Sequence, residues 1–203
     1  MLQYKVLNTT ALDLLRKISD SPLFSEYRLV GGTALALQFG HRISIDLDFF
    51  GTQPISGIDM IEALSMFGTV QQTVKSPRVQ SFFVNTIKVD VVHYPYEWID
   101  FPVKNKIRIA SIKDIAAMKL AAITNRGTKK DFVDLYLLLE HITLIEMMDL
   151  YSRKFPQSAD FFVLRSLTYF EDADQNTDPE MLVPYNWNTI KETIIEEVSR
   201  IVT

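Results

Sequence analysis

At about residue 110 the apolar residues of this chain change their period, and that change constrains the fold more than any other feature. Before it, short apolar runs of strand length alternate with stretches of helical spacing. Strand signals fall at 27–30, 44–50, 70–74, 79–84, 87–93 and 107–109, and Asn85-Thr86 suits a tight hairpin turn. Helical spacing covers 11–18, with Thr9 or Thr10 as N-cap, 33–39, stopped by Gly40, and 58–67, stopped by Gly68. After residue 110 only helical signals remain. Ser111 to Asp114 resembles a capping box that opens a helix through Asn125. Gly127 breaks it, and Thr128 caps a second helix through about residue 141. Thr143 with Glu146 is a capping box for a third, and 158–170 and 189–202 are two more. The acidic stretch 171–180 reads as a solvated loop. The expectation is an α+β chain: a mixed sheet with flanking helices over 1–110, packed directly on an α-helical domain over 111–203.

Composition narrows the function. The chain has no cysteine, which excludes disulfides and zinc–thiolate sites and fits a cytoplasmic protein. Its formal net charge of −4 argues against a non-specific nucleic-acid coat, which is usually basic. Residues 1–10 lack the pattern of a signal peptide, and no apolar run approaches the ~20 residues that span a bilayer, so no membrane association is expected.

The stretch with chemistry in it runs from Gly31-Gly32-Thr33 to Asp46-Leu47-Asp48. On a strand, alternate side chains share a face, so Asp46 and Asp48 would point the same way, about 6–7 Å apart at a rise of ~3.3 Å per residue. Ile45, Leu47 and Phe49 would face the core. Two carboxylates on one face suit a pair of magnesium ions about 3.5–4 Å apart. Magnesium prefers hard oxygen ligands and keeps the rest of its shell for water and phosphate; manganese can substitute. Asp90, within the apolar run Lys88-Val89-Asp90-Val91-Val92, would complete the metal set of Asp46, Asp48 and Asp90. An acid in such a run is costly to bury unless paired or metal-bound, and a pairing with the nearby Lys88 or an arginine is the plainer alternative. Gly31 and Gly32 at a strand-to-helix turn let a backbone approach a phosphate closely, the helix N-terminus offers N–H groups to it, and the Thr33 hydroxyl can add a hydrogen bond.

In this order these residues resemble the DNA polymerase β-type nucleotidyltransferase superfamily. More closely, Gly31-Gly-Thr-Ala-Leu-Ala-Leu37 and His41-Arg-Ile-Ser-Ile-Asp-Leu-Asp-Phe-Phe50 are similar to the AbiEii/AbiGii-type toxin family of bacterial abortive-infection and toxin–antitoxin systems, which act in phage defence. The resemblance continues through Lys119-Leu-Ala-Ala-Ile-Thr-Asn-Arg126 to Lys130, Asp131, Asp134 and Tyr136, and so covers roughly 27–136. The family often has Gly-Ser where this chain has Gly-Gly-Thr.

The resemblance implies a nucleotidyltransferase-type sheet and transfer of an NMP group from an NTP to an acceptor hydroxyl with loss of pyrophosphate, an EC 2.7.7 type reaction. It implies two magnesium ions, a tRNA or other RNA 3′ end as acceptor, and a separate antitoxin protein. It makes Lys119, Asp131 and Asp134 site residues alongside the three acids. Lys119 and Arg126, two helical turns apart on one face, would grip phosphates with Lys130, and the helical domain would form the other wall of a cleft. On this reading Lys119 contributes little to stability. Arg42 and Ser44 would support phosphate or carboxylate from just before the acidic pair. For Arg126 the alternative is a bridge to Asp131 that fixes an interhelical angle. Asp131 and Asp134 also suit a helix N-terminus on dipole grounds alone. Tyr94, Tyr96 and Trp98 either stack on a base or pack at the rim of the core. The competing functional readings are a non-catalytic NTP-binding module acting through a protein partner and NMP transfer onto a protein side chain.

Overall fold

Asn8 starts the first helix: its side chain accepts the Ala11 N–H at 2.8 Å, so the N-cap falls one residue before the threonines expected to provide it. In the computed structural model, which describes residues 1–54, 56–100, 103–104 and 106–202, the chain divides into two compact units, Met1–Ser111 and Ile112–Thr203. In the first unit, helices α1 (Thr9–Asp20), α2 (Gly31–Phe39) and α3 (Gly57–Ser65) alternate with strands β1 (Tyr27–Leu29), β2 (Leu47–Gly51), β3 (Val70–Lys75), β4 (Val79–Val84) and β5 (Ile87–His93). A short pair, β6 (Val103–Lys104) and β7 (Ile107–Arg108), closes the unit.

The five strands form one mixed sheet in the order β1-β2-β5-β4-β3. Only β2 and β5 run parallel; the other neighbours are antiparallel. The β4–β5 hairpin turns at Asn85, which takes a positive φ of 54°. The period-2 alternation then sorts the sheet's two faces. Leu47 and Phe49 of β2, Val89 and Val91 of β5, and Phe82 and Val84 of β4 are all buried. Asp48 and Phe50, Lys88 and Asp90, and Val79 point to the opposite face and are half-buried. The acids therefore occupy the face that is not the core.

One strand is shorter than expected. Regular pairing in β2 begins at Leu47, and residues 43–46 are irregular. Ile45 is accordingly 41% exposed and not a core residue. The segment is held by the Ser44 N–H, which donates to the Val6 carbonyl at 3.1 Å, and by Thr33, whose hydroxyl donates to the Asp46 carbonyl at 2.5 Å. Those bonds replace the ladder bonds that a longer strand would have made.

The second unit contains α4 (Ile112–Asn125), α5 (Lys129–Leu139), α6 (Leu144–Lys154), α7 (Asp160–Leu167), α8 (Glu171–Asp174) and α9 (Trp187–Val202). Helix α4 packs against α5, α6 and α7, and α9 against α5, α6 and α7. Helix α6 starts with the expected capping box, Thr143 Oγ1 accepting from the Glu146 N–H and Glu146 from the Thr143 N–H. The acidic stretch is more than a loop. It forms α8, and Asp174 accepts hydrogen bonds from the Trp187 indole and the Lys191 ammonium, while Asp178 pairs with Lys129 at 2.9 Å. Asp114 is wholly buried and paired at 2.8 Å with Lys154 of α6, also wholly buried. This pair ties α4 to α6. Removing one member of such a pair typically costs about 3–5 kcal/mol. Lys154→Met is therefore expected to destabilise by about that much in urea unfolding, and Asp114→Leu combined with Lys154→Met to recover most of the loss. Additive losses in the double variant would contradict the coupling.

Candidate active site

The parallel pairing of β2 with β5 places Asp48 directly opposite Asp90. Neighbouring strands lie about 4.8 Å apart, so the two carboxylates start from adjacent backbone positions on one face. Asp46 reaches the site from the irregular segment before β2, not from the strand itself, so the expected strand alternation does not relate it to Asp48. What positions Asp46 is Thr33: its buried hydroxyl donates to the Asp46 carbonyl and lies 2.8 Å from the Ser44 hydroxyl. Thr33 and Ser44 thus fix the acidic segment to the start of α2 from inside the fold. Arg42 is also buried, 4% exposed, and donates from Nη1 to the Ile43 carbonyl at 3.2 Å.

Gly31 opens α2 with a φ of +67°, which L side chains rarely adopt. A Cβ at Gly31 would stand 2.8 Å from Asp48 Oδ2. The turn is therefore molded around the carboxylate, and both requirements select glycine. The Val30 N–H donates to the Asp48 carbonyl at 2.9 Å and holds this approach. Gly31 and Gly32 form the first turn of α2, so its free N–H groups lie beside the acids.

Asp90 has two different oxygens. Oδ2 accepts from Lys88 Nζ at 2.5 Å, whereas Oδ1 is buried and has no hydrogen-bond partner. Burial pulls the Lys88 ammonium down, but the hydrogen bond to Asp90 and the charges of Asp90, Asp48 and Asp46 outweigh it and hold its pKa above the ordinary lysine value. All three acids thus act on one ammonium. Among the described residues no three acidic or histidine side chains form a ready-made ligand cluster. The donors nevertheless suit a hard divalent cation: all are carboxylate oxygens, one is an orphaned buried oxygen, and the neighbouring turn is cleared of side chain.

The motif residues of the second unit form a different arrangement. Lys119 is 4% exposed, and its ammonium donates to Asp131 at 2.9 Å and to Asp134 at 2.8 Å, both also buried. Asp131 Oδ2 further accepts from the Thr128 hydroxyl at 2.5 Å, the Thr128 N–H at 3.3 Å and Arg126 Nε at 3.3 Å. Lys119 therefore locks α4 to α5, and the expectation that it is spare for stability is corrected by its burial between two carboxylates. Arg126 bridges to Asp131 with a mostly exposed side chain, the alternative its spacing left open. Lys130 is exposed on the first turn of α5. The aromatic residues after β5 pack together: Tyr94 is buried, with ring centroids 5.2 Å from Phe50, 4.9 Å from Tyr96 and 5.5 Å from Trp98, and Arg28 stacks 4.6 Å above Trp98. Lys154 belongs to no motif, and Asp114, expected in a capping box, is instead seen paired with it, while Lys88 makes the pairing with Asp90 that was the plainer alternative. For Lys88 the only signal was its i,i+2 spacing from Asp90.

Comparison with known proteins shows the family. The family described as "Nucleotidyl transferase AbiEii toxin, Type IV TA system" matches residues 13–200. The chain belongs to this AbiEii family. An uncharacterized protein of Aquifex aeolicus (strain VF5) is 35% identical over 188 residues, covering 89% of this chain and 90% of its own. Among solved structures, MenT4, the nucleotidyltransferase toxin Rv2826c of Mycobacterium tuberculosis H37Rv, aligns with a TM-score of 0.49 at 16% identity, over 94% of this chain and 84% of that one. The Megavirus polyadenylate synthase aligns with a TM-score of 0.47 at 19% identity, over 64% of this chain. The match spans 31% of that synthase. As a member of the AbiEii family, the chain is placed among the nucleotidyltransferase toxins of toxin–antitoxin systems. Among the described residues no helix is long and apolar enough to cross a membrane.

Two outcomes are expected from this geometry. Asp131 is buried, which raises its pKa, but the charges of Lys119 and Arg126 and the hydrogen bonds from Thr128 and Lys119 outweigh that and hold it well below the usual carboxylate range. A depressed folded pKa stabilises the protein above the unfolded value of about 3.9, and that contribution is lost as pH falls from there toward the folded value. Asp131→Asn should therefore be less stable than the parent at pH 7, with a shallower loss of stability on acidification below about pH 5; parallel curves in urea titrations at several pH values would contradict this. Gly31→Ala should disturb the site through both its φ and its contact with Asp48, while Gly57→Ala, whose added Cβ meets the end of the flexible Gln80 side chain, serves as a control. Nuclear magnetic resonance shifts at Asp48 would report it, and an unchanged Asp48 environment in Gly31→Ala would contradict it.

Proposed function

We propose that this chain transfers a nucleoside monophosphate from an NTP to the 3′ hydroxyl of an RNA acceptor, and that a separate antitoxin restrains it. The observation that carries this reading is the in-register pair Asp48 and Asp90 beside a glycine turn shaped to Asp48. Asp46, Asp48 and Asp90 would hold magnesium, with manganese as a substitute. Bound there, the metal would supply Lewis-acid stabilisation of phosphate oxygens and promote ionisation of the acceptor hydroxyl.

The chain's own residues do the positioning. Gly31 and Gly32 bring backbone N–H groups of the α2 terminus to phosphate oxygens, which keeps negative charge at the positive end of the helix. Thr33 holds the Asp46 segment, and the Lys88 hydrogen bond orients Asp90. In the reaction the acceptor oxygen bonds to the α-phosphorus, the bond from that phosphorus to the bridging oxygen breaks, pyrophosphate leaves, and the acceptor proton passes to solvent. Arg126 and Lys130 are exposed cations of the second unit that would suit the phosphates of an RNA. The Lys119–Asp131–Asp134 group holds α4 and α5 together within the second unit.

Incubating the protein with each α-labelled NTP, magnesium and either total RNA or total protein tests the reading. Label should appear on RNA 3′ ends, depend on magnesium, and fall about a hundredfold or more in Asp48→Asn. Label on protein instead would replace the acceptor. No label on either would favour an NTP-binding module without turnover.

A further inference from the structure

One cation stands beside the site acids, on the strand that carries Asp90. Lys88 and Asp90 sit two residues apart on β5 and so share a sheet face. The Lys88 ammonium reaches Asp90 Oδ2 at 2.5 Å, with 40% of the side chain exposed. This contrasts with Lys119, whose side chain is 5% exposed and held by two buried carboxylates. Lys119 is enclosed by the fold, whereas Lys88 reaches its carboxylate from the solvent side. The ammonium leaves Asp90 Oδ1 without a partner and faces the fields of Asp48 and Asp46 as well. The Lys88 charge is thus shared among three carboxylates. Clustered acids repel one another, and a nearby cation lowers that repulsion.

We infer that Lys88 is a resident counter-cation of the carboxylate site: it orients Asp90 with Oδ1 open and competes electrostatically with the divalent ion, so that it sets how tightly the ion binds. The inference rests on the metal reading given under Proposed function. It predicts an effect opposite to that of an ordinary supporting residue, since removing Lys88 should strengthen cation binding. A unit charge several ångströms from a divalent ion, partly screened by water, changes affinity by about fivefold to tenfold. Because Lys88 is partly exposed, the difference should shrink as salt is raised.

The test is binding of Mn2+ alone, without nucleotide, read by electron paramagnetic resonance of the free ion. Lys88→Met keeps the apolar stem and removes the charge, Lys88→Arg keeps the charge, and Asp48→Asn reports whether the ion occupies this site. Thermal unfolding of each variant checks the fold. The expected result is Mn2+ binding by the parent that is lost in Asp48→Asn, about fivefold to tenfold tighter in Lys88→Met, and near the parent value in Lys88→Arg. Equal or weaker binding by a folded Lys88→Met variant, with parent binding still sensitive to Asp48→Asn, would overturn the counter-cation role alone. Absence of Asp48-dependent binding in the parent would overturn it together with the metal reading.

Discussion

The candidate site depends on one strand pairing. Among the five described strands of the sheet, β2 and β5 are the parallel neighbours, and their register sets Asp48 against Asp90. A shift of one residue would turn one of the two acids toward Leu47, Val89 and Phe49, into the apolar face. The burial of those residues therefore protects the register of the acids. The same pairing explains why β2 can be short: Thr33 and the Ser44 N–H hold the lead-in segment that strand bonds do not.

Lysines are used in contrasting ways. Lys119 and Lys154 are buried and paired with Asp131, Asp134 and Asp114, where they join helices and neutralise acids that would otherwise be costly to enclose. Lys88 is half-exposed and bound to a carboxylate whose other oxygen has no partner. Lys129 lies between, stacked over Trp187 at 5.5 Å and paired with Asp178. Burial separates a cation that stabilises a fold from one that can yield to a ligand. Family membership alone would not separate them, because Lys119 belongs to a motif and Lys88 does not.

Legibility in the sequence followed the range of the interactions involved. The β4 and β5 strands, the Asn85 turn, the Gly40 stop and the Thr143–Glu146 capping box were readable because each depends on residues within a few positions of one another. The start of α1 was misplaced by one residue because asparagine and threonine are both good caps and only the observed hydrogen bond decides between them. The acidic stretch read as a loop because its partners, Trp187, Lys191 and Lys129, lie 13 to 49 residues away. For Thr33 a phosphate contact and for Arg42 support of phosphate or carboxylate are the readings that local position allows, while their internal partners become visible only in the folded chain.

By itself the sequence determined the division near residue 110, the candidate acids and glycines and the family, because periodicity and motifs are local properties of a chain. The tertiary structure alone decided that Asp48 faces Asp90, that Asp46 lies outside the strand, and that Lys119 is enclosed while Lys88 is open. Register, burial and charge pairing arise between segments distant in sequence. A carboxylate or an ammonium takes its chemical character from those neighbours.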